Sequence, residues 1–133
     1  MRAASIMIVE TNTDLRNTLR HAFEDRGYMT WTCPAPELAI SIFTVVQPSI
    51  VIVDLDFQGI NVLHLLDIWR DIAPHTRVIV ESTTADANRM REAMDHVAHA
   101  FLTKPYYLPP LFDLLEKDIP TDPPGSTPLK KAA

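Results

Sequence analysis

Short aliphatic runs recur along this chain and limit what it can fold into: "IMIV" at 6–9, "IVIV" at 50–53, "VIV" at 78–80 and "AFL" at 100–102. Each is too short for a helix and rich in residues that suit a pleated sheet. The first three have no polar face, which fits strands covered on both sides, as in a parallel sheet. A fifth run, "YMTWTC" at 28–33, alternates Met29, Trp31 and Cys33 with Thr30 and Thr32, and predicts a half-exposed strand at the sheet edge. Helical periods lie between the runs. Leu15, Leu19, Ala22 and Phe23 share a helix face that stops at Gly27. Leu38, Ile42, Val45 and Val46 stop at Pro48, and Leu65, Trp69 and Ile72 stop at Pro74. Met90, Ala93, Met94 and Val97 form a fourth stripe, and Leu111, Leu114 and Leu115 a fifth. Pro109 and Pro110 fit a first helical turn, whose amides lack partners in any case. Trp31, Trp69, Met90 and Met94 read as packing residues. Strand and helix alternating five times predict an α/β fold, a parallel sheet wound on both faces by helices through right-handed crossovers.

The 133 residues are enough for one domain with a core of its own. Beyond Lys117 the composition turns proline-rich, so the expected division is a domain over 1–118 and a tail or linker over 119–133. The single cysteine, Cys33, excludes an internal disulfide and a Cys-rich zinc site. A net charge of −5 argues against nonspecific nucleic-acid binding, and none is expected of this domain. No apolar run is long enough to span a membrane, and "MRAAS" leads into too few apolar residues for a signal peptide, so a cytoplasmic protein is expected. No Gly-rich nucleotide loop is present. His96 and His99 have nothing beside them to complete a metal site, and a cationic histidine near a helix C-terminus suits the helix dipole.

Open parallel sheets bind ligands outside the carboxyl ends of their strands, near the point where strand order reverses. The first run is followed there by Glu10, Thr11 and Asn12, and the third by Asp54, Leu55 and Asp56. Ser82, Thr83 and Thr84 follow the fourth, and Thr103, Lys104 and Pro105 the fifth. Any one of these has an ordinary explanation, such as Asn12 as a helix N-cap. Together they predict a site at one sheet edge made of carboxylates, hydroxyls and a lysine.

"IMIVE", "SIVIVDLDFQG", "RVIVESTTA" and "AFLTKPY", in this order and spacing, resemble the receiver domain of two-component response regulators from about residue 5 to 117. The resemblance implies a flavodoxin-like sheet in the order 2-1-3-4-5 with five helices, which puts "YMTWTC" at an edge. It also implies phosphoryl transfer from a sensor histidine kinase or phosphotransfer protein. In that reading Asp54 is the phosphoacceptor. Ser82 and Lys104 contact phosphoryl oxygens, and Phe101 switches rotamer with Ser82. Mg²⁺ is held by Glu10, Asp54, the backbone carbonyl of Asp56 and the residue at position 11. The output is a change of protein contacts, with an effector domain or by self-association, through the surface of the fourth helix, fifth strand and fifth helix. Such a domain is not expected to be an enzyme. A small acid–base enzyme built on Asp54, Asp56 and Lys104 is a weaker alternative, because no substrate pocket is readable.

Departures from the family pattern cluster at the metal. Thr11 stands where the family has a ligating aspartate, and Mg²⁺ usually takes one or two carboxylates. The expectation is weak Mg²⁺ binding or none. The alternative is then a pseudo-receiver, an interaction module that works without phosphorylation. Gln58-Gly59, Asn61-Val62 and His96-Val97-Ala98 also replace the usual family residues.

Overall fold

The computed structural model describes residues 4–57, 61–83, 86–95 and 99–118. Strands and helices alternate: β1 (Ser5–Val9), α1 (Thr13–Asp25), β2 (Met29–Cys33), α2 (Pro36–Val46), β3 (Ile50–Asp54), α3 (Val62–Ile72), β4 (Arg77–Ser82), α4 (Ala87–Asp95), β5 (Ala100–Thr103) and α5 (Leu108–Asp118). The five strands form one parallel sheet in the order β2-β1-β3-β4-β5. The proline-rich stretch from 119, His96 and Val97 fall outside the described residues.

The unbroken apolar strands are explained by two cores, one on each face. Ile6, Ile8, Ile50, Ile52 and Ile79 pack with Leu19 and Phe23 of α1 and Leu111, Phe112 and Leu115 of α5. Met7, Val9, Val51, Val53, Val78 and Val80 point the other way and pack with Phe43 of α2, Leu66 and Trp69 of α3 and Ala93 of α4. A strand residue must choose one face because side chains alternate along a strand. Trp69 stacks on Phe43 with ring centroids 5.2 Å apart.

Local signals set the element ends. Asn12 Oδ1 accepts the Leu15 amide at 2.9 Å and caps α1. Asn61 Oδ1 does the same for α3, taking the amides of Leu63 and His64. Pro36 opens α2, and Gly27 takes φ +89° after α1, in the left-handed region that glycine tolerates.

Some expected faces are corrected. In α2 the buried residues are Pro36, Ala39 and Phe43, whereas Leu38 and Val45 of the predicted stripe are exposed. The helix is apolar almost all round, so periodicity alone does not choose its inner face. In α4 only Ala93 is buried, and Met90 and Met94 lie exposed rather than in the core. In β2 the alternation is weak: Met29 is exposed, Trp31 is half-buried and only Cys33 is fully covered. His99 is not a helix-dipole cation. Its Nδ1 accepts the Val78 amide at 2.9 Å, and burial, with the Arg77 charge beside it, lowers its pKa and keeps it neutral.

Candidate functional site at the sheet edge

The chain runs from β1 outward to β2 and then returns past β1 to β3, so strand order reverses between β1 and β3. Glu10 and Asp54 stand at the carboxyl ends of those two strands. Backbone bonds carry the ladder past the strand ends and fix the loops that follow. Glu10 N–H donates to Cys33 O (3.0 Å), Leu55 N–H to Glu81 O (2.8 Å) and Lys104 N–H to Ser82 O (2.7 Å). The residues expected to carry chemistry are thus held by the sheet rather than by long loops.

Lys104 Nζ lies 2.9 Å from Asp54 Oδ2 and 2.9 Å from Glu10 Oε1. Asp54 Oδ1 accepts the Asp56 amide at 2.8 Å, and Glu10 Oε2 accepts the Asn12 amide at 3.0 Å. Burial raises the pKa of Asp54, and the nearby Glu10 charge adds to it; Lys104 and the Asp56 amide oppose the shift without cancelling it. For Glu10 burial also acts upward, but bonds from Glu81, Lys104 and the Asn12 amide outweigh it and hold the carboxyl below its usual range. Lys104 is shifted upward: burial disfavours its charge, yet the bonds to Glu10 and Asp54 more than offset that.

Glu81 and Tyr106 join the site without having been singled out in the sequence, as do Arg16 and Arg89. Glu81 is wholly buried and in register with Asp54. Burial pushes its pKa up to about 9, with the bond to Glu10 acting in the same direction, so it is protonated at neutral pH and can donate to Glu10. Tyr106 donates its hydroxyl hydrogen to Glu81 Oε1, and burial followed by the Glu81 charge drives the phenol pKa upward. The available signal was a carboxylate inside an apolar strand, one residue before the expected Ser82.

Asp56 uses its side chain differently from expectation. Its Oδ1 accepts Ser82 Oγ–H at 2.7 Å and Arg89 Nη2–H at 3.1 Å, and its Oδ2 accepts the Thr83 amide at 2.7 Å and Thr83 Oγ1–H at 3.0 Å. Burial acts to raise its pKa, but the Thr83 amide, the two hydroxyls and Arg89 outweigh it and lower it. Thr11 is exposed, and Arg16 Nη1 donates to the carbonyls of Glu10 (2.8 Å) and Thr11 (3.1 Å). Phe101 is half-buried, in register with Val80, and packs against the valine-side core.

Receiver domains in general bind Mg²⁺ at their acidic pocket. A Mg²⁺ ion needs hard oxygens free to point at it in an octahedron, at about 2.1 Å. Here Glu10 and Asp54 each give one oxygen to Lys104 and the other to a backbone amide. The Asp56 carboxylate is turned to Ser82 and Thr83, and the guanidinium of Arg16 covers the carbonyls at 10 and 11. Among the described residues no three metal-ligating side chains converge. This donor set, as arranged, does not fit a divalent ion, and an ammonium group holds the position between the carboxylates.

Over residues 6–116 the chain matches the family described as the response regulator receiver domain, and it belongs to that family. It is 24% identical over 120 residues to Sporulation initiation phosphotransferase F of Bacillus subtilis, covering 90% of this chain and 97% of that one. It is 28% identical over 124 residues to the response regulator protein FleR of Pseudomonas aeruginosa, covering 93% of this chain but 26% of FleR. The Vibrio cholerae chemotaxis protein CheY4 has the same fold: TM-score 0.80, 18% identity, 87% of this chain and 98% of that chain covered. These likenesses agree with a signalling domain of two-component systems and with the observed strand order. Among the described residues no helix is long and apolar enough to cross a membrane.

Proposed function

We propose that this domain accepts a phosphoryl group on Asp54 from the phosphohistidine of a sensor kinase or phosphotransfer protein. The observation that carries the reading is Lys104 Nζ at 2.9 Å from Asp54 Oδ2, at the strand-order reversal of a receiver sheet. In the transfer, an Asp54 carboxylate oxygen attacks phosphorus. The P–N bond breaks, the electron pair stays on the imidazole nitrogen, and an acyl phosphate forms. Lys104 neutralises charge on the transferred group, the main task of a protein in phosphoryl transfer. Glu10 keeps the ammonium in place, and Asp54 is partly desolvated, which suits a nucleophile. No step is assigned to Mg²⁺, because the donor set does not fit it. The output passes through the face of α4, β5 and α5, where Met90, Met94 and Tyr107 are exposed, to an effector domain or a second copy.

A second reading, an interaction module that works unphosphorylated, is favoured by the Asp56 carboxylate seated on Ser82 and Thr83. Incubation with acetyl phosphate, followed by intact mass, decides between them. Gain of one phosphoryl group by the wild type and none by Asp54→Asn supports transfer. No gain by either, in a folded protein with or without Mg²⁺, leaves the interaction module.

A further inference from the structure

The side chain of Asp56 is bound the way an oxyanion is bound. Four hydrogen bonds reach its two oxygens, from Ser82 Oγ, the Thr83 amide, Thr83 Oγ1 and Arg89 Nη2. The carboxylate comes from the turn after β3, and the donors come from the end of β4, the loop after it and α4. Arg89 Nη2 also donates to Leu55 O at 3.0 Å, so the guanidinium ties α4 to the same turn. Asp54 lies opposite Glu81 in the sheet, so Ser82, the last residue of β4, and Thr83, the first of the loop after it, follow directly beyond that pair. The donors therefore flank the same strand end at which the Asp54 carboxylate stands. Asp54 Oδ1 is fixed by the Asp56 amide at 2.8 Å, so the two carboxylates share one tight turn.

We propose that the Asp56 carboxylate is an internal occupant of the β4–α4 oxyanion donors, a latch that must release Ser82, Thr83 and Arg89 before an oxyanion at Asp54 can use them. This rests on the reading of Asp54 as phosphoacceptor only for the nature of the incoming group. A phosphoryl group carries more negative charge than the carboxylate and has three oxygens to serve, so it competes for the same donors and repels Asp56. Release of Asp56 removes one of the two bonds by which Arg89 holds the β3 turn and leaves the one to Leu55 O, which loosens the tether. The latch therefore couples occupancy of the site to the tether of α4.

The test uses inorganic phosphate, which needs no transfer reaction, followed on the Thr83 amide resonance of the full chain. Asp56→Ala removes the occupant and leaves the Ser82, Thr83 and Arg89 donors open, with Lys104 still on Glu10 and Asp54. It should bind phosphate about tenfold more tightly than wild type, the worth of one competing charged hydrogen-bonding group. Adding Ser82→Ala to that variant should cancel most of the gain. Asp56→Asn keeps the shape, loses the charge and should fall between; it also serves if the alanine variant fails to fold. Equal phosphate responses in wild type and both folded variants overturn the latch. A parallel reaction with acetyl phosphate separates the two readings. If no protein gains a phosphoryl group, Asp54 is not an acceptor, and the phosphate titration still judges the latch.

Discussion

Tyr106, itself half-buried, hands its hydroxyl hydrogen to Oε1 of Glu81, whose buried carboxyl is bonded to Glu10 on its other side. Because Glu81 keeps its proton in the fold up to about pH 9 but loses it near its ordinary 4.5 when unfolded, the folded state binds one more proton between those values. That contribution to stability is complete below pH 4.5 and is lost as pH rises through about 9. Glu81→Gln, which keeps a donor toward Glu10 and an acceptor for Tyr106, should show a flatter profile. Relative to wild type, its Tm should rise as pH goes from about 5 to about 9. Parallel Tm profiles for the two proteins would show that Glu81 does not carry the shift.

Lys104→Met removes the cation between two buried carboxylates and should destabilise by about 3 kcal/mol at neutral pH, as loss of one partner of a buried pair does. The deficit should shrink in acid, where Asp54 and Glu10 take up protons. The variant should also gain more Tm from added Mg²⁺ than the wild type does, because the group competing for Glu10 and Asp54 is gone. Denaturant melts at two pH values, with and without Mg²⁺, check both points.

Thr11→Asp should bind Mg²⁺ about tenfold or more tightly than wild type, since one added carboxylate beside a divalent ion is worth at least 1–2 kcal/mol. Asp54→Asn serves as control, and calorimetric titration reads the affinity. If wild type binds Mg²⁺ as tightly as the variant, position 11 is not at the metal and the alignment of the first loop is wrong.

Met90→Gln and Met94→Gln should each change stability by less than about 0.5 kcal/mol, because both side chains face solvent. Phe43→Ala, in the covered face of α2, should cost about 3 kcal/mol or more. Urea midpoints of the three variants compare exposed and packed positions directly.

Strand positions were legible because a strand covered on both faces has to be apolar throughout, and Ile50 to Val53 satisfy that without exception. Asn12, Pro109 and Pro110 were readable as punctuation, since caps and first-turn prolines act on their own neighbours. Leu38 and Val45 misled because α2 offers apolar residues on every side, and tertiary packing chose Ala39 and Phe43. Glu81 and Tyr106 escaped notice because their meaning depends on register across strands. Only the pairing of Glu81 with Asp54 puts an ordinary-looking glutamate beside Glu10. Asp56 was singled out for its backbone carbonyl, whereas the structure engages its side chain, whose Ser82 and Thr83 partners lie 26 and 27 residues away.

The division of the sheet by residue type gives a spectroscopic means of locating a signal. Among the described strands, every isoleucine faces α1 and α5 and every valine faces α2, α3 and α4. Methyl labelling of the two amino acids in separate samples therefore illuminates opposite sides of one sheet. An event at Asp54 that travels along α4 should first broaden or shift the methyls of Val53 and Val80. One that travels along α5 should first disturb Ile79, and the order of the two responses during a titration reveals the direction of travel.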